Sequence, residues 1–434
     1  MNNAKDHTTA ADAADQSAGG PPTIGVGVSI GIGAGLGMVV GILVGDMVRG
    51  MLYGAGLGTV VGAVRETLRR RVDGTPPPRA GRDARTTWWR SLLERHALLA
   101  FFGLTFALSW SLWGLQALRA AADPISARWL GISATYGPTL AAIALAGLLR
   151  PGRQPTAWSS RQRWLAGAVL VGTVGLNITI ASNPLTSTRP LVAALLWLVI
   201  TLLPAWLVWN SFSRRLGVRA LLHTLASWRA PPIWYLTALL LPVLISVAGL
   251  ALLALLGQPL PPFPRTEPLQ TLLPLLVITF VATMLYGGPL GEEVGWRGFA
   301  LPRLQLRYSP LVASLLLSVV WGLWHVPLHL MGVYHGIFPD GLPGIVLRIV
   351  TTLPTTVLFT WFYNRTKGNL WLVVLLHTAV NNSAGFWLPI TPGVYATMSI
   401  TTVTLIITDR MWRVRPPERV LARAEGPLEP LARS

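Results

Sequence analysis

The chain has 434 residues, 52% hydrophobic and 12% charged, with no cysteine, a formal charge of +18 and a mean hydropathy of +0.52. A soluble domain carries about 25% charged residues, so this composition excludes a water-soluble enzyme, a secreted disulfide scaffold and a disordered regulator. The missing cysteines exclude thiolate nucleophiles and thiolate metal sites, and the basic residues fall in short gaps between apolar runs, which points away from nucleic acid and toward a membrane protein.

Residues 1–22, rich in Ala, Asp, Thr and Gly, read as a disordered tail without the order of a signal peptide. Two apolar runs follow at 24–45 and 50–64. In them Gly33, Gly37, Gly41 and Gly45, and then Gly50, Gly54, Gly58 and Gly62, recur every four residues. Such rows clear one helix face, so residues 23–64 are expected to form a close-packed membrane hairpin or a self-association surface, with a pore or lipid-disrupting role as the alternative. Residues 65–95, with arginines at 69–71 and prolines at 76–78, read as a basic cytoplasmic linker. The main domain, 96–409, holds ten predicted spans at 97–117, 130–149, 164–181, 191–209, 233–256, 271–287, 311–331, 344–362, 369–387 and 394–408. Most approach the roughly 20 residues that cross a bilayer. A basic tail closes the chain at 410–434.

The predicted fold is therefore all-α: a polytopic transmembrane bundle of about ten core spans plus an N-terminal glycine-rich hairpin. Lys and Arg test the map. The connections in register with 65–95, together with the C-terminal tail, hold 28 of them, and the opposite connections hold 4. The positive-inside rule then places both termini in the cytoplasm.

Ionisable groups at membrane depth are costly and so read as functional. They concentrate in the last third of the chain. In Gly-Pro-Leu-Gly-Glu292-Glu293-Val-Gly-Trp296-Arg297, a helix over 290–301 sets Glu293 and Arg297 four apart on one face, in the favourable order for an ion pair. Glu292 lies about 100° round that helix. It is the carboxylate left for chemistry, and desolvation strengthens it as a general base. The competing reading places both glutamates in a cytoplasmic loop.

In Trp321-Gly-Leu-Trp324-His325-Val-Pro327-Leu-His329, Trp321 precedes His325 by one turn and can wall or orient its ring. His325 and His329 have a metal-compatible spacing, but Pro327 disturbs the helix between them, and His329 reads as interfacial. In the third cluster, His377 and Asn381 share a face and present two donors of the kind that receive an oxyanion. Interhelical polar glue is the bland alternative for each cluster. A carboxylate, a histidine and a donor pair together point to water as the nucleophile. One difficulty remains in the span map. His325 lies 15 residues beyond Pro310, about 22 Å of helix, whereas Glu292 sits near the cytoplasmic end. Either the glycine-rich break at 287–291 lets the glutamate helix lie within the membrane, or the 311–331 span begins outside the bilayer core.

The three clusters, in order, resemble the motifs of the CPBP family of intramembrane proteases, the CAAX-protease and bacteriocin-processing group, in its bacterial branch. The resemblance rests on Glu292-Glu293-Val-Gly-Trp-Arg297, Trp321-Gly-Leu-Trp-His325 and His377-Thr-Ala-Val-Asn381, with a motif core over 271–387. It implies an intramembrane endopeptidase of the bacterial plasma membrane acting on a membrane-associated peptide or protein. Glu292 and His325 would activate water, His377 and Asn381 would stabilise the oxyanion, and Glu293, Arg297 and Trp321 would support the site. Family members are described both as metalloproteases and as glutamate-type proteases. Zinc held by Glu292, His325 and His377 is thus an open alternative, since catalytic zinc usually takes three protein ligands. Beside the lipid bilayer and the substrate, the expected partner is a second copy through the glycine-rich hairpin, and no nucleic acid. Two other functions compete: a non-catalytic membrane adaptor or immunity protein, and a proton-coupled transporter.

Overall fold

The computed structural model describes residues 82–150, 202–226, 230–263, 268–334, 337–383 and 387–414, with a few isolated positions between 152 and 171. The tail at 1–22, the glycine hairpin at 23–64, most of the 164–181 and 191–209 spans, and the chain beyond 414 lie outside the described residues. Within the segment read as a linker, Arg82–Arg95 is helical (α1).

Among the described residues every regular element is a helix. Helix α2 (Ala97–Arg119) packs on α3 (Pro124–Thr135) and α4 (Gly137–Leu149). The 130–149 span is thus not one rod: α3 and α4 meet at a 45° bend, with Tyr136 between them and Pro138 opening α4. A short helix α5 (Leu216–Leu222) lies against α4.

Among the described residues five helices are long and apolar enough to cross a membrane, or six if the bent pair counts as one span. This is a multi-pass membrane protein. On α6 (Pro232–Leu255) the Leu236, Leu240, Leu244 and Val247 side chains are exposed, while Ala238, Ile245, Ser246 and Gly249 are buried. Leucines outward, with Ala238, Ser246 and Gly249 among the groups facing inward, suit a lipid solvent, where backbones gain by close approach.

The next segment departs from the predicted map. Helix α7 (Leu269–Tyr286) continues through α8 (Pro289–Glu293), a π-helical turn (Val294–Ala300) and α9 (Leu301–Gln305). Residues 270–305 form one 36-residue apolar run, about 54 Å if straight. The expected 288–309 connection therefore shrinks to the few residues after Gln305. Arg297, expected as a loop charge, is fully buried. Helix α10 (Pro310–Trp324) stops at His325, with Pro327 near the start of α11 (Val326–Leu330), as a proline lacking an N–H donor dictates. Helices α12 (Leu342–Arg365), α13 (Leu370–Ser383) and α14 (Pro392–Thr408) complete the bundle. Helix α12 packs on α10, and α13 lies against α6, α7 and α8.

Candidate active site

Two broken helices brace each other around Glu292. The Tyr136 hydroxyl donates to the Leu285 carbonyl at 2.5 Å, and Thr139 Oγ1 donates to the Leu290 carbonyl at 3.3 Å. Backbone freed by the α7–α8 break thus finds donors at the α3–α4 bend and on the first turn of α4, the condition for irregular chain inside a bilayer. Gly288 adopts φ +106°, and a Cβ there would collide with the Glu292 carboxylate. A Cβ at Gly295 would come within 2.6 Å of the Pro138 backbone, so glycine is what allows the π turn to rest on α4. π-helical turns inside helices recur at functional sites.

Four sequence-distant segments then meet. Glu292 Oε2 accepts from Trp321 Nε1 at 2.7 Å. The carbonyl of the same Trp321 lies 2.7 Å from His325 Nδ1. A carbonyl only accepts, so Nδ1 carries the proton, and the Nε2 of a neutral His325 is an acceptor. Glu293 Oε1 receives Arg297 at 2.9 Å and lies 2.6 Å from His377 Nδ1. Arg297 also sits over the Trp321 and Phe359 rings, at 4.5 and 4.7 Å. The His377 ring stands edge-on to Trp321, with centroids 5.5 Å apart.

The predicted ion pair of Glu293 with Arg297 is present and fully buried. Trp321 does more than wall His325, since it also holds Glu292. Glu293 serves His377 as well as Arg297, which the spacing did not foretell.

Glu292, Trp321, His325, His377 and Asn381 all line one cavity of about 390 Å³. Asn381 is exposed to it, its Nδ2 3.5 Å from the Gly287 carbonyl. Asn382 instead ties α13 to α7, donating to Thr283 Oγ1 at 3.0 Å and accepting from Trp387 Nε1 at 2.6 Å. His329 is not part of the lining, and its ring packs on Tyr334 and Phe338.

Among the lining residues that the sequence reading passed over are Tyr334, in the connection after α11, and Arg348, on α12. Desolvation pushes the Tyr334 hydroxyl above the ordinary phenol range; the Arg348 charge opposes this and the Glu292 carboxylate adds to it. Tyr334 thus remains a neutral hydrogen-bond donor. Arg348 had a visible signal, as the one basic residue within the predicted 344–362 span.

Glu292, His325 and His377, the set considered for zinc, all line this cavity. Among the described residues no three His, Cys, Asp or Glu side chains group as metal ligands do. Glu292 Oε2 is held by an indole N–H, and Glu293 Oε1 lies beside His377 Nδ1.

Residues 271–383 match the family model described as type II CAAX prenyl endopeptidase, Rce1-like. This stretch is similar to that family over about a quarter of the chain. A CAAX prenyl protease 2 from Methanococcus maripaludis is similar as well, 33% identical over 92 residues. That match covers 21% of this chain, and the chain spans about a third of the relative's length (34%). The Rce1-like stretch runs from α7 to the end of α13 and so contains Glu292, Trp321, His325, Arg348, His377 and Asn381.

Proposed function

We propose that the chain is an intramembrane endopeptidase of the bacterial plasma membrane, with both termini in the cytoplasm, hydrolysing a peptide bond of a membrane-associated peptide or protein. The carrying observation is the convergence of Glu292, His325, His377 and Asn381 on one cavity, with Trp321 fixing Glu292 and His325 together.

In this reading Glu292 Oε1, the oxygen not held by Trp321, takes a proton from water, while His325 Nε2 accepts a hydrogen bond from the same water and orients it. The water oxygen bonds to the peptide carbonyl carbon, and the carbonyl oxygen becomes the oxyanion. Asn381 Nδ2 donates to it. His377, its Nδ1 fixed against Glu293 Oε1, lines the cavity beside it. Collapse of the tetrahedral carbon breaks the C–N bond, and Glu292 passes its proton to the leaving amine. Fixed donors aimed at a developing charge usually contribute more to such catalysis than any other single effect.

The test is cleavage of a panel of membrane peptides by the purified, reconstituted chain, with Glu292→Gln and His325→Ala beside it and a zinc chelator in parallel. Cleavage lost in both variants and indifferent to chelation is the expected result. Equal cleavage by all three proteins overturns the site, and loss on chelation that added zinc reverses overturns the metal-free water activation.

A further inference from the structure

Arg348 stands on the first turns of α12, inside a run apolar enough to cross a membrane. Thr351, Thr352 and Thr355 follow it at helical spacing and line the same cavity, so this is one polar wall facing Glu292 and His325. The guanidinium has five N–H donors and uses them poorly. One nitrogen lies 3.5 Å from the Tyr334 hydroxyl, the group sits 4.8 Å over the Tyr334 ring, and Nε is buried with no hydrogen-bond partner. Among the described residues no carboxylate pairs with it, Glu292 included. Arg297, the fully buried arginine of the site, has Glu293. An unpaired cation at membrane depth is costly and rare, and a carboxylate matches the guanidinium fork with two parallel hydrogen bonds.

We propose that Arg348 determines specificity by receiving a carboxylate of the bound peptide, within a few residues of the bond cleaved. The short reach follows from volume: about 390 Å³ lies at the small end of the usual range for small-ligand pockets, so the cavity takes a few residues of extended chain. Two sources supply the same chemistry, a free C-terminus and an Asp or Glu side chain. This inference rests on the endopeptidase reading, and its test separates the two.

The test uses the full chain in lipid nanodiscs and one acylated peptide sequence in three forms: free C-terminal acid, C-terminal amide, and amide with a Glu placed near the scissile bond. Binding is measured with Glu292→Gln protein, and cleavage with the wild type. The expected result is binding of a carboxylate-bearing form about 10- to 100-fold tighter than the plain amide, the scale of a charged hydrogen-bond pair. Adding Arg348→Gln brings the ratio near one. Arg348→Lys, which keeps the charge but not the fork, gives an intermediate ratio and guards against a folding defect. Preference for the free acid assigns a C-terminus, and preference for the Glu form assigns a side chain. Carboxylate preference in binding without cleavage by the wild type leaves Arg348 in its role and overturns the endopeptidase reading. Cleavage with equal affinity for all three forms does the reverse. A fall in kcat common to every form in Arg348→Gln, with the ratio kept, places the arginine at the reacting carbonyl and overturns the proposal, as does failure of every form to bind.

Discussion

Nδ1 of His377 lies 2.6 Å from Oε1 of Glu293, although 84 positions separate them in the chain. The same oxygen receives Arg297, so one carboxylate joins α13 to the π turn and offsets a cation that has no access to solvent. Removing one member of a buried ion pair leaves an uncompensated charge, whereas removing both is far cheaper. Glu293→Gln should therefore destabilise the protein by about 3–5 kcal/mol, and Glu293→Gln with Arg297→Met should regain much of the loss. Thermal unfolding in detergent reads both, and equal melting of wild type and single variant would contradict the pairing.

Trp321 gives a cleaner functional test, because its ring and its N–H can be separated. Trp321→Phe keeps an aromatic body near His325 and Phe359 but deletes the donor to Glu292. A hydrogen bond to a charged group contributes about 1.5–3 kcal/mol. Peptide cleavage should fall about 10- to 100-fold, with the melting temperature lowered only slightly. Unchanged kcat would mean that Glu292 needs no anchoring.

At Gly288 the backbone is left-handed, and the space a methyl group would need is taken by the Glu292 carboxylate. Gly288→Ala should cost about 1–3 kcal/mol of stability and displace the carboxylate, cutting cleavage nearly as far as Glu292→Gln does. A fully active Gly288→Ala protein would show that Glu292 is not held where the structure puts it.

The natural absence of cysteine makes orientation directly measurable. Asp340 and Arg413 are exposed, at opposite ends of the predicted topology. Asp340→Cys should react with an impermeant maleimide in intact spheroplasts, and Arg413→Cys only after permeabilisation. The opposite pattern would invert the protein in the membrane.

What the sequence revealed and what it hid divide by distance along the chain. The Glu293–Arg297 pair was legible because helix geometry alone brings residues four apart together. The break near Gly287 was legible from its glycines and proline. The bond from Trp321 to Glu292 was not legible, since it depends on how α10 packs beside α8. Nor was the bend at Tyr136, because α3 and α4 are both apolar and the run looks continuous. Arg348 was overlooked for a different reason: a single arginine in an apolar run gives no spacing to read, and only the cavity shows what it faces.

The bracing of α7 and α8 by Tyr136 and Thr139 also bears on what a minimal version of this protein would contain. Both residues precede the 271–383 stretch that carries the family likeness. So do Phe101, which packs against Trp296 and Phe299, and Trp110, whose indole N–H caps the Trp324 carbonyl at 3.0 Å. The recognisable portion thus holds every reacting group but borrows its rigidity. Excised or grafted alone, it would keep its chemistry in the sequence and lose the scaffold that aims it.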